Sequence, residues 1–116
     1  MNKIIAAVAI LLVMNIAYAG STPTVTGHGN VPCDSWTEAR KQDDMNRLSY
    51  QAWVQGFLSG VNWSGVIYTD FLKDGDYADW FVWLDNYCLR NPHSRIVDGV
   101  STLVLELKTR NRCETC

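Results

Sequence analysis

The sequence predicts an all-α protein: a compact four-helix, disulfide-stapled single domain that follows a signal peptide. Three observations carry that expectation. Apolar side chains recur at spacings of three and four, the repeat of a buried helix face, in three long stretches. Period-2 alternation, the mark of a half-buried strand, fails even in the β-branched run from Ile96 to Val104. Four cysteines all lie beyond an apolar leader, an even count that reads as disulfide bonding in an oxidising compartment.

The leader sets the domain organisation. Met1-Asn2-Lys3 is a short positive start, Ile4 to Ala17 is apolar except for Asn15, and Ala17-Tyr18-Ala19 has the small residues of a cleavage site. The apolar run is shorter than the roughly 20 residues of a membrane span, and no cysteine follows the site to take a lipid. Residues 1–19 are therefore expected to be a cleaved signal peptide, and the protein to work in the periplasm or outside the cell. Residues 20–32, rich in Gly, Thr and Pro, are expected to be a flexible leader, and residues 33–116 the helical domain. The formal net charge is −2, or −3 once Lys3 leaves with the signal peptide. A mildly acidic domain without a basic cluster excludes nucleic acid and anionic membranes as partners, since phosphate binding depends on dense Lys and Arg.

Ser35-Trp36-Thr37-Glu38 fits a capping box and predicts a first helix running to about Gln42. Asp43, Asp44 and Asn46 supply turn and cap chemistry before a second helix, expected from Arg47 to about Phe71. Its buried face would carry Tyr50, Trp53, Val54, Phe57, Val61 and Ser64. Gly56 and Gly60, in line with Ala52 and Ser64, predict a groove where another backbone packs closely. Each glycine costs the helix roughly 1 kcal/mol relative to Ala, so tight packing would have to offset it or the helix would kink near Gly65. Lys73-Asp74-Gly75-Asp76 signals a turn, with Asp76 capping a third helix whose apolar face holds Tyr77, Trp80, Phe81, Leu84, Tyr87 and Cys88. Trp83 falls off that face and is expected to be exposed. Asn91-Pro92 ends this helix and is expected to start the fourth, with Asn at the cap and Pro at the first position. Ile96, Val100, Leu103 and Leu107 form its stripe, with Val97 and Val104 beside it, and Lys108, Arg110 and Arg112 suit the negative end of its dipole.

Four cysteines allow three pairings. Cys33–Cys88 is favoured because it would close a long loop, leaving Cys113 and Cys116 to pair locally; the alternative ties Cys113 to the body and Cys116 to a neighbouring chain. Cys113-Glu114-Thr115-Cys116 has redox-motif spacing, but it follows a helix C-terminus, whose dipole disfavours a thiolate. Zinc held by these thiols and His93 would lack a second close pair of ligands. Asp70, Asp74, Asp76 and Asp79 do not follow the alternation of a calcium loop. No metal or cofactor is implied. Neither His28 nor His93 stands near a nucleophile and an acid in a triad-like pattern, and no two residues form a placeable acid–base pair, which argues against an enzyme. The acidic run is flanked by Tyr68, Phe71, Tyr77 and Trp80 and suits a basic protein partner. Asp70, Asp74, Asp76 and Trp83 are thus the candidate partner-binding residues, and the oligomeric state stays open, a dimer included.

Three segments carry a resemblance: Cys33-x-x-Trp36-x-x-x-Arg40, Trp53-x-x-Gly56-Phe57-Leu58-Ser59-Gly60-x-Asn62, and Trp83-x-x-x-Tyr87-Cys88-x-x-Asn91-Pro92 before an apolar helix. Together they resemble the Rap/Tai group of immunity proteins, which protect a bacterium from periplasmic amidase effectors of type VI secretion. More loosely the chain looks like the HdeA-type periplasmic acid-stress chaperones, although Cys113, Cys116 and the double-glycine helix depart from that pattern. The first resemblance implies a non-enzymatic inhibitor that binds a secreted cell-wall-degrading effector. The second implies a chaperone that exposes apolar faces when carboxylates such as Asp70, Asp74, Asp76 and Asp79 are protonated.

Overall fold

The computed structural model describes residues 20–65 and 70–113, with side chains as far as Asn111 in the last helix. Within these residues the chain forms a 3-10 turn (Gly27–Asn30) and four helices: α1 (Cys33–Arg40), α2 (Met45–Ser64), α3 (Tyr77–Arg90) and α4 (Ile96–Cys113). No strand occurs among the described residues; one isolated antiparallel bridge joins Pro32 to Arg95. The fold is the all-α, disulfide-bonded one that the periodicity predicts. The expected signal peptide and Cys116 lie outside the described residues, as does the Cys113 side chain.

α1 begins earlier than the Ser35–Glu38 box implies. Its first N–H groups are satisfied from a distance: Cys33 donates to the Ser94 carbonyl at 2.7 Å and Asp34 to the Pro92 carbonyl at 3.0 Å. A tertiary cap thus replaces the local one, and Ser35 and Glu38 sit inside the helix. The bridge at Pro32 and the Cys33–Cys88 disulfide, with Cα atoms 5.0 Å apart, hold the chain where those carbonyls can act. This is the favoured pairing of the cysteines. It closes a separation of 55 residues, worth about 4 kcal/mol in the chain-entropy account.

α2 is capped by Asp44, whose carboxylate accepts from the Arg47 N–H at 3.1 Å. It stops at Ser64 rather than near Phe71, with the Gly65 N–H donating to the Val61 carbonyl. Residues 66–69 lie outside the described set, and Phe71 joins the core from the following loop. Val54 and Leu58 are the fully buried residues of α2, while Tyr50, Trp53, Phe57 and Val61 pack from its flanks and Ser64 is exposed. Short aliphatics occupy the centre of the contact, and the longer rings reach in from the sides. Gly56 and Gly60 do not line a helix contact within this chain: both are exposed, and a Cβ at either would meet nothing within 4 Å.

α3 starts at Asp76, which accepts from the Ala78 N–H at 2.8 Å. It buries Phe81, Leu84 and Cys88, with Tyr77 exposed at its first turn. Asn91 does not start the fourth helix. Its backbone N–H and its side-chain amide both donate to the Tyr87 carbonyl, at 3.0 and 2.9 Å, so it closes α3 instead. α4 begins at Ile96, after a turn that contains Pro92. There the Asp98 carboxylate accepts from the Arg95 N–H at 3.1 Å, a helix-start bond that competes successfully with Asn91-Pro92. Ile96, Val97, Val100, Leu103, Val104 and Leu107 are buried as the stripe predicts. Gly99 allows α3 and α4 to approach: a Cβ there would lie 2.7 Å from the Tyr87 ring.

The segment expected to be a flexible leader includes the 3-10 turn. From Gly27 it folds against α2, with Gly29 buried under the Trp53 ring and the His28 ring tilted against Tyr50 at 4.0 Å between centroids. Trp53 Nε1–H donates to the Thr26 carbonyl at 3.0 Å. An indole that can cover glycine and bond a carbonyl anchors a segment with almost no apolar side chains of its own.

Candidate docking groove

The loop before α3 is braced at residues 70–72. The Asn62 carboxamide accepts from the Phe71 N–H at 3.1 Å and donates to Asp70 Oδ1 at 2.8 Å. Asp70 Oδ1 also accepts from the Leu72 N–H, and the Asp70 carbonyl accepts from the Asn111 amide at 3.3 Å. Phe71 then inserts into the core with the Lys108 ammonium 5.4 Å from its ring centroid. The ends of α2 and α4 therefore hold the acidic loop against the helices.

Beyond this anchor the loop turns tightly. Asp74 adopts a left-handed backbone, φ 60°, a conformation that favours glycine. Gly75 packs so closely on Trp80 that a Cβ there would lie 2.6 Å from the indole. Asp74 and Asp76 of the turn, with Lys73 beside them and Asp79 in the first turn of α3, line an open groove of about 540 Å³. Trp80 and Val82 contribute apolar surface, the buried Leu103 and Leu107 lie beneath it, and Arg110 and Asn111 also line the groove. Trp83, expected to be exposed, is half-buried in this wall: it stacks on Tyr87 and its Nε1–H donates to Glu106 Oε2 at 2.6 Å. Glu106 also pairs with Arg110, so one carboxylate orients both the indole and the guanidinium.

The structure thus brings together three of the four candidate partner-binding residues, Asp74, Asp76 and Trp83, and adds Asp79. Asp70 is not among the lining residues; it braces the loop through Asn62. Tyr68 lies outside the described residues, and Tyr77 is exposed without lining the groove. Leu103, Arg110 and Asn111 carried no sequence signal for this site, because only the return of α4 past the loop places them there.

A second polar cluster sits between α1 and α3. Asp85 accepts from Arg40 Nε and Nη2, both at 2.9 Å, and from Trp36 Nε1 at 2.7 Å. Arg40 lies 5.7 Å from the ring centroids of both Trp36 and Phe81. One carboxylate serves as acceptor for both the indole and the guanidinium, which suits a fixed helix contact. Neither histidine bonds a carboxylate, hydroxyl or thiol among the described residues, and no three His, Cys, Asp or Glu side chains there are grouped as a metal site. No described helix is long and apolar enough to cross a membrane. No protein-family model, curated protein or solved structure matches the chain.

Proposed function

We propose that this protein acts after export, in the periplasm or beyond, as a non-enzymatic binding protein. Its groove between the acidic loop, α3 and α4 receives a basic segment of a protein partner. The observation that carries the reading is the juxtaposition of Asp74, Asp76 and Asp79 with the apolar surface of Trp80 and Val82, on a loop braced by Asn62 and Asn111. Carboxylates along the rim steer and orient a cation, while the rings cover the alkyl stem that carries it. A braced loop also loses little freedom on binding, which favours affinity.

The form of docking that the sequence resemblance implies is immunity: a stoichiometric block on a secreted cell-wall hydrolase. Periplasmic extract passed over the immobilised protein should yield one partner in fixed ratio, and Asp74→Lys with Asp79→Lys should abolish its retention. Recovery of many unrelated proteins, or retention indifferent to that double reversal, would refute the groove reading.

The looser resemblance to the acid-stress chaperones implies a second reading, a chaperone that exposes apolar faces at low pH. Aggregation assays at pH 2–3 separate the two readings, since only a chaperone keeps unrelated proteins soluble there.

A further inference from the structure

The outer face of α2 takes no part in the groove, yet it lacks the charge that a solvated helix face usually carries. Of the 20 residues of α2 only Arg47 is charged, and it pairs with Asp43. The exposed side instead carries Trp63, 83% exposed, Met45, 76%, and Leu48, 49%, with Ala52, Gly56, Ser59 and Gly60 between them. Large exposed apolar groups on one continuous face mark an interaction surface.

We propose that this face pairs with the same face of a second copy, the two α2 helices running antiparallel about a two-fold axis at the level of residue 54. That register makes the face its own complement, as an isologous contact requires. Met45 meets Trp63 of the other copy, Leu48 meets Ser59, Ser49 meets Gly60 and Ala52 meets Gly56, and each pairing recurs on the far side of the axis. Large residues stand opposite small ones, and the thioether stands at an aromatic ring, a favourable contact. The glycines then have a purpose: the space that a Cβ at Gly56 or Gly60 would find empty is where the second helix approaches. Absence of charge on the face removes any repulsion between identical surfaces. A 20-residue helix is about 30 Å long and 10–12 Å across, so covering its outer half removes about 500 Å² per copy, or about 1,000 Å² in all. That is the lower limit for a specific interface and implies a reversible dimer.

Sedimentation equilibrium of the oxidised protein tests this, with Cys113→Ser and Cys116→Ser present so that a covalent pair cannot mimic the contact. The expected result is a monomer–dimer equilibrium accompanied by a concentration-dependent blue shift of tryptophan emission. Gly60→Leu and Trp63→Ala should each raise the dissociation constant at least tenfold. Gly60→Leu should leave the thermal midpoint of the dilute monomer unchanged or higher, since glycine is a poor helix former and nothing surrounds it. A wild-type protein that stays monomeric to about 1 mM, the weak end of measurable association, would overturn the proposal. So would a dimer that survives both substitutions, or a face that binds lipid vesicles or a foreign protein while the chain remains monomeric. The charge-reversed Asp74→Lys, Asp79→Lys protein should dimerise normally, so this pairing and the groove reading succeed or fail separately.

Discussion

The two halves of α3 are held in opposite ways. From Leu84 to Arg90 the helix is fastened: Cys88 is bonded to Cys33, Asp85 accepts three hydrogen bonds from α1, and Gly99 of α4 lies against Leu84 and Tyr87. From Tyr77 to Val82 the helix rests on a capped turn, with Tyr77 and Val82 more than half exposed and Asp79 and Trp80 facing the groove. The contrast shows how a small domain can leave part of a helix bare. Cross-links and buried pairs at one end supply the stability that exposed aromatics and like charges at the other do not.

Breaking the fastened half should have the largest effect. Cys33→Ser together with Cys88→Ser should lower unfolding free energy by about 4 kcal/mol, read from urea denaturation of the oxidised and substituted proteins. A midpoint that does not move would dissolve the contrast. Next comes Asp85→Ala, which strands the buried Trp36 N–H and the Arg40 guanidinium, at about 2–4 kcal/mol. Asp85→Asn, which can still accept one of those bonds, should fall between it and the natural protein.

Changes in the exposed half should be smaller and of different sign. Asp74→Gly relieves the left-handed backbone and should add about 1 kcal/mol to stability while weakening partner retention. That opposition would show that the aspartate is kept for its carboxylate rather than for the turn. Smallest of all, Asp79→Lys should shift stability by no more than about 0.5 kcal/mol and act almost entirely on binding. A large loss of stability from it would place Asp79 in the fastened half after all.

Much of this division was legible in the residues. Asp44 and Asp76 were readable as caps because an N-cap bond spans only two or three residues, and the stripes of α3 and α4 were readable because burial repeats with the helix turn. The groove was half legible: the acidic turn and Trp80 are neighbours in sequence, whereas its other wall comes from Leu103, Leu107 and Arg110. Leu58 was missed as a core residue because its aromatic neighbours dominate the apolar pattern of α2.

The sequence by itself determined the helical class, two of the caps and the distribution of apolar residues that builds the core, since each of these depends on residues within a turn or two of one another. Tertiary structure alone decided where α1 and α4 begin, that Asp70 braces its loop, and that the glycines of α2 face outward. In each case a distant group competed with a local signal: the Ser94 carbonyl displaced the Ser35–Glu38 box, and Asn62 claimed the Asp70 carboxylate. A buried donor is satisfied by whichever acceptor the packed chain brings nearest, and the order of residues along the chain does not specify which one that is.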